Sequence, residues 1–161
     1  MGTDAHRAAA EERGPVAVGV ITVSDSRTRE TDTNGAWLQE RITAAGADLV
    51  LLVADDVVAG DDLVRGAQVV VVNGGTGVSK RDTTYDTLAR LLEKTLPGFG
   101  ELFRMLSWEQ VGSAAMLSRA TAGTYRGAVL VSVPGSPKAV ALAWEKLLEP
   151  ELAHLAWEVG R

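Results

Sequence analysis

Four consecutive valines, Val69 to Val72, run straight into Asn73-Gly74-Gly75-Thr76-Gly77. That junction constrains the fold more than any other stretch of the chain. An unbroken β-branched run suits a parallel strand buried on both faces, with helices covering the sheet on each side. Glycines directly behind such a strand let backbone N–H groups approach a ligand with no side chain in the way. Lys80, Arg81 and the carboxylate Asp82 follow, and a helical pattern opens near Thr83. The order implies an anionic ligand, with Asp82 placed to hold a metal ion or a transferred proton. Phosphate chemistry at the carboxyl end of a parallel sheet is the expectation.

Three more apolar runs, at residues 16–23, 48–53 and 128–133, read as buried strands beside the one at 68–72. Helical patterns separate them. One opens at the N-cap types Thr33 and Asn34 and stops at Gly46; others cover residues 83–95, 100–111, 138–148 and 151–159. Leu88, Leu91, Leu92 and Leu96 should face inward on the second helix, and Leu102, Met105 and Leu106 on the third. Residues 61–66 are a short lead-in to the third strand, and residues 113–127 show no regular pattern. Residues 1–14, polar and alanine-rich, read as a loosely held and partly helical tail; residues 15–161 form a single domain. Strands alternating with amphipathic helices predict an α/β fold whose sheet is mainly parallel, joined by right-handed crossovers.

In such sheets ligands bind beyond the carboxyl ends of the strands. Ser24-Asp25-Ser26 follows the first strand, Asp55-Asp56 the second, the glycine loop the third and Pro134-Gly135-Ser136 the fourth. All four clusters therefore fall on one edge. The loop is no P-loop, because Ser79 precedes Lys80 and no Ser or Thr follows it, and Lys80 also breaks the dinucleotide pattern. With Thr76 inside it and Lys80-Arg81-Asp82 behind it, a phosphate cradle is favoured over a simple turn. Asp82 can equally cap the helix that follows, and both roles stay open. Asp86, one turn further, suits the helix dipole. Asp55, nearer its strand than Asp56, and Asp82 would reach one pocket from neighbouring strands as a magnesium site. The hydroxyl of Ser24 can bond phosphate oxygens, although Ser and Asp are also ordinary turn residues.

Composition narrows the classes. The 161 residues suffice for one domain with a real core. A net charge of −5 without a Lys/Arg-rich run argues against nucleic acid. Cysteine is absent, which excludes disulfides, thiolate nucleophiles and thiolate zinc sites. With His6 and His154 as its only histidines, the chain is not expected to carry a histidine metal centre. No signal-peptide or membrane-spanning run is present, so a soluble cytoplasmic protein without a membrane partner is expected. Trp37, Trp108, Trp144 and Trp157 all lie in helical segments and should pack in the core or at a subunit interface.

Taken together, these residues resemble the MoaB/MogA family of molybdenum cofactor biosynthesis proteins. The resemblance runs over residues 18–148 and rests on VSDSRTRETDTNG (23–35), NGGTGVSKRDTTYD (73–86), LPGFGE (96–101), AMLSRATAG (115–123) and VPGSPKAV (133–140). The first of these leans toward the MoaB branch. The resemblance implies a three-layer α/β/α sandwich that assembles as trimers or pairs of trimers. It implies a molybdopterin adenylyltransferase, in which the terminal phosphate of molybdopterin attacks the α-phosphorus of Mg-ATP and releases pyrophosphate. The family's two essential aspartates fall on Asp55 and Asp82, catalytic and metal-holding. Its pterin-phosphate loop falls on Gly74, Gly75, Thr76 and Gly77, a helix serine on Ser107, and its PGSP turn on Pro134, Gly135, Ser136 and Pro137. Lys80 or Arg81 would neutralise phosphate charge, with Arg119 and Lys138 as further candidates. The alternative is a non-catalytic molybdopterin-binding or scaffold protein of the same pathway; an unrelated phosphate-ester enzyme is a third reading. Departures from the family pattern are Asn73 for Thr, Ala54-Asp55 for Pro-Asp, and Tyr85 where proline is usual. The crossover from Asp55 to Val69 is also short, so its helix should be truncated to about one turn or lost.

Overall fold

The computed structural model describes residues 3–55 and 61–161; the side chains of residues 3, 4, 11, 51–55, 61 and 62 lie outside that description. Its strands are β1 (Ala17–Val23), β2 (Asp48–Asp55), β3 (Val69–Asn73), β4 (Lys94–Thr95), β5 (Thr121–Tyr125) and β6 (Ala128–Val133). They form one sheet in the order β2-β1-β3-β6-β5-β4. The four apolar runs pair in parallel, as expected, while β5 and β4 add an antiparallel edge.

Side chains alternate across a strand, so a run of four valines must serve two cores. Val69 and Val71 join Val18, Val20, Val129 and Val131 against Leu38, Ile42, Phe103, Val140 and Trp144. Val70 and Val72 join Ile21 and Leu130 against Leu63 and Leu88 on the opposite face. The helices are α1 (Thr3–Glu11), α2 (Thr33–Ala44), α3 (Thr84–Leu91), α4 (Pro97–Val111), α5 (Pro137–Ala143) and α6 (Leu152–Val159). Buried residues of α2, α4, α5 and α6 cover the first face; α3 and a one-turn 3₁₀ helix, Asp61–Val64, cover the second. The layers are thus α/β/α, with the second helical layer thin where the short crossover supplies only that turn. Among the described residues no helix is long and apolar enough to cross a membrane.

Several elements differ from the sequence reading. The helix expected over 83–95 stops at Leu91, because Leu92 turns extended and the chain pairs with the free edge of β5. Glu93 N–H donates to the Thr124 carbonyl and Leu96 N–H to the Ala122 carbonyl, bonds that helical propensity could not outweigh. Residues read as irregular contain β5, joined to β6 by Arg126-Gly127, both with positive φ (48° and 76°). That is the two-residue type I′ hairpin, here without the Asn-Gly or Asp-Gly that usually announces it. In α4 the inward residues are Gly100, Phe103 and Ser107; Leu102 and Met105 are exposed, and only Leu106 of the expected trio packs on the core. The helix read over 138–148 ends at Ala143 and continues as a π-turn, Trp144–Leu148. Pro150 cannot donate to the Lys146 carbonyl and its ring crowds it, so a regular last turn is unavailable. The N-terminal segment, read as a loosely held and partly helical tail, carries the helix α1, which docks on α6 with Ala10 buried and the His6 ring 4.7 Å from Trp157.

Trp144 is fully buried where helices meet the sheet, and its indole N–H has no partner among the described residues. Trp144→Ala should lower unfolding free energy by about 3–5 kcal/mol, read from the shift of a urea midpoint. Trp144→Phe keeps most of the ring and removes the unpaired donor, so its cost should be clearly smaller.

Candidate active site

Strand register brings the four polar clusters level. Val23 lies opposite Asp55, Thr22 opposite Asn73, and Asn73 opposite Val133, so Ser24, Asp55, Gly74 and Pro134 all leave the sheet at one edge. Asp55 and the glycine loop do not come from neighbouring strands, however. β1 lies between them, which separates the two strand ends by about 10 Å at ordinary spacing. The side chain of Asp55 and the whole of Asp56 lie outside the described residues.

Asn73 ends β3 with no exposed surface. Its amide nitrogen donates to Thr22 Oγ1 (2.9 Å) and the Ile21 carbonyl (3.3 Å), and its Oδ1 accepts from Asn34 Nδ2 (2.9 Å). Asn34 Nδ2 also donates to the Gly135 carbonyl at 2.8 Å. Two buried amides thereby fasten β1, β3, α2 and the Pro134 turn together with every amide N–H used. Asn34 therefore does not cap α2. Asp32 does, accepting from Gly35 N–H at 2.9 Å. Neither role was visible in the sequence, where Asn34 read as a cap type and Asp32 carried no assignment.

Gly74 has φ +103°, and a Cβ there would stand 2.2 Å from the Val23 carbonyl oxygen; Gly75 has φ +67° and would meet Thr84 Oγ1 at 2.2 Å. No side chain fits at either position. Gly74 N–H is held by the Val133 carbonyl, and Thr84 N–H by the Gly75 carbonyl. The next three N–H groups, of Gly75, Thr76 and Gly77, have no intramolecular partner among the described residues. Unpaired consecutive amides are rare and form an anion-binding concavity.

Behind the loop, Asp82 Oδ2 accepts from Ser79 N–H (3.0 Å) and Ser79 Oγ–H (2.6 Å). It does not cap α3, whose N-cap is Thr83 without a side-chain bond. The Ser79 hydroxyl bond holds the Asp82 carboxyl below its ordinary value of 3.8, against partial burial and helped by Ser79 N–H, Arg81 and Arg119. Asp82 Oδ1 carries no hydrogen bond among the described residues, which leaves it for a ligand. Arg119 is no phosphate ligand here. Nε donates to the Gly77 and Thr76 carbonyls, Nη2 to Gly77 and Asp82, and Nη1 to both Asp86 oxygens at 3.0 Å. Every nitrogen of the guanidinium is thus engaged, and the group stacks 4.7 Å from the Tyr85 ring. It clasps the loop to the start of α3. Asp86, in the first turn as the dipole favours, also holds that clasp.

Two cavities meet at Gly75, Asp82 and Gly135. The larger, about 760 Å³, is mostly apolar and runs past the free amides to Phe103, Val111, Leu117 and Pro134. The smaller, about 440 Å³, is polar and includes Thr22, Ser24, Asp25, Arg27 and Arg81. Ser107 and Lys138 line the larger one; Ser107 is buried and donates its hydroxyl proton to the Phe103 carbonyl at 2.7 Å, leaving its oxygen to accept. Ser136 lines it too, but its Oγ caps α5 through Ala139 N–H. Ser24 Oγ accepts from the N–H groups of Ser26 and Arg27 and so shapes its own turn. Arg81 is exposed, 3.6 Å from the Asp25 carboxylate. Lys80, expected beside the phosphate, is exposed and lines neither cavity.

Comparison with known proteins agrees with this architecture. A family model described as a probable molybdopterin binding domain matches residues 19–154. Molybdenum cofactor biosynthesis protein B of Bacillus cereus is 46% identical over 152 residues, covering 88% of this chain and 89% of its own. A crystal structure of a molybdenum cofactor biosynthesis protein B superposes with a TM-score of 0.83 at 42% identity, covering 91% of this chain and 97% of that one. The tungsten cofactor synthesizing protein MoaB from Pyrococcus furiosus superposes with a TM-score of 0.77 at 34% identity, covering 91% and 98%.

Ser79→Ala should raise the Asp82 carboxyl toward 3.8, read by NMR titration of its carboxyl carbon. A depressed native pKa adds stability above the unfolded value and loses it as pH falls through the native one. The stability gap between the parent protein and Ser79→Ala should therefore be constant at neutral pH and shrink only below about pH 4.

Proposed function

This chain belongs to the probable molybdopterin binding domain family of molybdenum cofactor biosynthesis proteins, and from that membership we propose that it is a molybdopterin adenylyltransferase. An oxygen of the molybdopterin terminal phosphate attacks the α-phosphorus of ATP. The bond from that phosphorus to the bridging oxygen breaks, and pyrophosphate leaves. The observation that carries this reading is the shared wall: Gly75, with its free amide, and Asp82, with Oδ1 unbonded, line both an apolar and a polar cavity, and the free amides of Thr76 and Gly77 continue along the apolar one. The larger cavity is of a size and character suited to a flat heterocycle, with its phosphate on the amides. The polar cavity, with Arg27 and Arg81, suits the phosphates of the nucleotide. Transfer between phosphates asks a protein chiefly to align the reactants and balance their charge.

Magnesium, a hard cation preferring oxygen, fits the ionised carboxylate of Asp82, with Asp55 as the second proposed ligand; it would offset the charge of the triphosphate. Asp82, pinned by Ser79, holds its free oxygen in one orientation. The buried asparagine pair keeps the Pro134 turn against the glycine loop, where Gly135 closes the boundary between the cavities. A second reading, pterin binding without turnover, draws on the charge inventory: each Arg119 nitrogen already holds a partner and Lys80 lies outside both cavities, so few cations face the reacting phosphates.

Self-association as a trimer or hexamer is part of the proposal. Leu102, Met105, Trp108 and Val111 recur every three residues along α4 and are 47–61% exposed. Val111 and Leu117 also line the larger cavity, so a copy seated there would border the pterin recess. Met105→Asp should move the sedimentation coefficient from an assembly to a monomer; an unchanged value removes α4 as the interface.

Pyrophosphate release from the purified chain should require ATP, molybdopterin and magnesium together. Asp82→Asn should lower kcat/KM by about 100-fold or more while pterin binding persists, and Asp55→Asn should act in the same direction. Pterin binding without any pyrophosphate release by the unmodified protein would leave the second reading. No pterin binding at all would sink both.

A further inference from the structure

We propose that His6, His154 and Glu158 bind one transition-metal dication of the zinc type, which fastens the first helix of the chain to the last. The only two histidines in the sequence lie near its opposite ends, yet α1 and α6 bring them to one carboxylate. Glu158 Oε1 stands 3.3 Å from His6 Nδ1 and 3.6 Å from His154 Nε2, and the three ligand atoms all lie within 4.8 Å of one another. Zinc bonds of 2.0–2.1 Å in a tetrahedron put neighbouring ligands about 3.3 Å apart. The first separation equals that edge and the second exceeds it by 0.3 Å. The second is longer than a hydrogen bond and lies in ion-pair range.

The surroundings are those of a prepared ligand set. His154 Nδ1 lies 3.0 Å from Glu151 Oε2; a carboxylate can only accept, so Nδ1 is the donor in this contact and Nε2 is the ring nitrogen that faces Glu158. Glu151 is itself gripped by Arg7 from α1. The other Glu158 oxygen accepts from Arg161 Nη2 at 2.6 Å, which turns Oε1 toward the histidines. The Trp157 ring forms one wall, 4.7 Å from the His6 ring. Side-chain exposures of 19%, 21% and 37% for His6, His154 and Glu158 leave a fourth position open to water. None of these residues lines either cavity of the candidate active site.

Two imidazoles and one carboxylate select zinc, nickel or copper over magnesium and calcium, which prefer all-oxygen sets. The ion would act as a clasp. It closes the chain ends and adds stability by binding only the folded state.

The full-length chain, stripped with chelator and dialysed, is titrated with zinc chloride by calorimetry and with cobalt(II) by visible absorption. One ion per chain, tetrahedral cobalt bands, and a Tm that rises with zinc but not with magnesium are expected. His6→Ala and His154→Ala should abolish the bands, and Glu151→Gln, which removes no ligand, should weaken affinity about 10–100-fold. Far-UV circular dichroism of each variant checks folding. Paramagnetic shifts of both imidazoles in the unmodified cobalt protein test the ligands without any substitution. No zinc binding, or binding that survives in both histidine variants, overturns the proposal. So does binding lost only in Asp82→Asn, because the ion would then belong to the candidate active site.

Discussion

β3 has β1 and β6 on its two sides and helices over both faces, so it can offer polar groups to a ligand only where it ends. Its valines are at most 1% exposed. The ladder takes up the backbone groups along this stretch, and an apolar environment would penalise any left over. The chain must therefore resolve its polarity abruptly at Asn73. It does so by satisfying the asparagine completely and leaving the next three free amides on a cavity wall. That row of free amides is a consequence of how deeply the preceding strand is buried.

Two brackets keep that wall from relaxing. On one side the Asn34–Asn73 pair joins two strands, a helix start and the Pro134 turn; on the other Arg119 joins the loop carbonyls to α3. Both use donors that a phosphate could otherwise have taken, and both thereby hold weaker donors, the backbone amides, in a fixed array. Asn73 and Tyr85, two of the departures from the family pattern, belong to these brackets: one is the buried amide, the other the ring under the Arg119 guanidinium.

Local pattern and tertiary demand disagreed in identifiable places. The leucines of residues 88–96 repeat as a helix would, yet an open strand edge on β5 drew Lys94 and Thr95 out of it. On α4 the bulky residues do not mark the inner face, because Gly100 is needed close to the Ala120 carbonyl and Phe103 fills the core beside it. The hairpin at Arg126-Gly127 carries no strong turn signal, so β5 could not be read before its partner strand was in place. Arg119 lay in that unread stretch. Its basic charge suggested a phosphate contact, whereas its surroundings make it a structural clasp.

The sequence by itself determined the four buried parallel strands, the edge on which their polar ends collect, and the glycine loop with Asp82 behind it. Those follow from side-chain period and chain direction, which are local properties. Only the tertiary structure decided that β1 separates Asp55 from the loop, that Asn34 meets Asn73, that Arg119 is occupied, and that His6 reaches His154 and Glu158. Each depends on strand order or on contacts between distant segments. Periodicity carries no information about those, because the fold's packing, and not the neighbouring residues, sets which side chains meet.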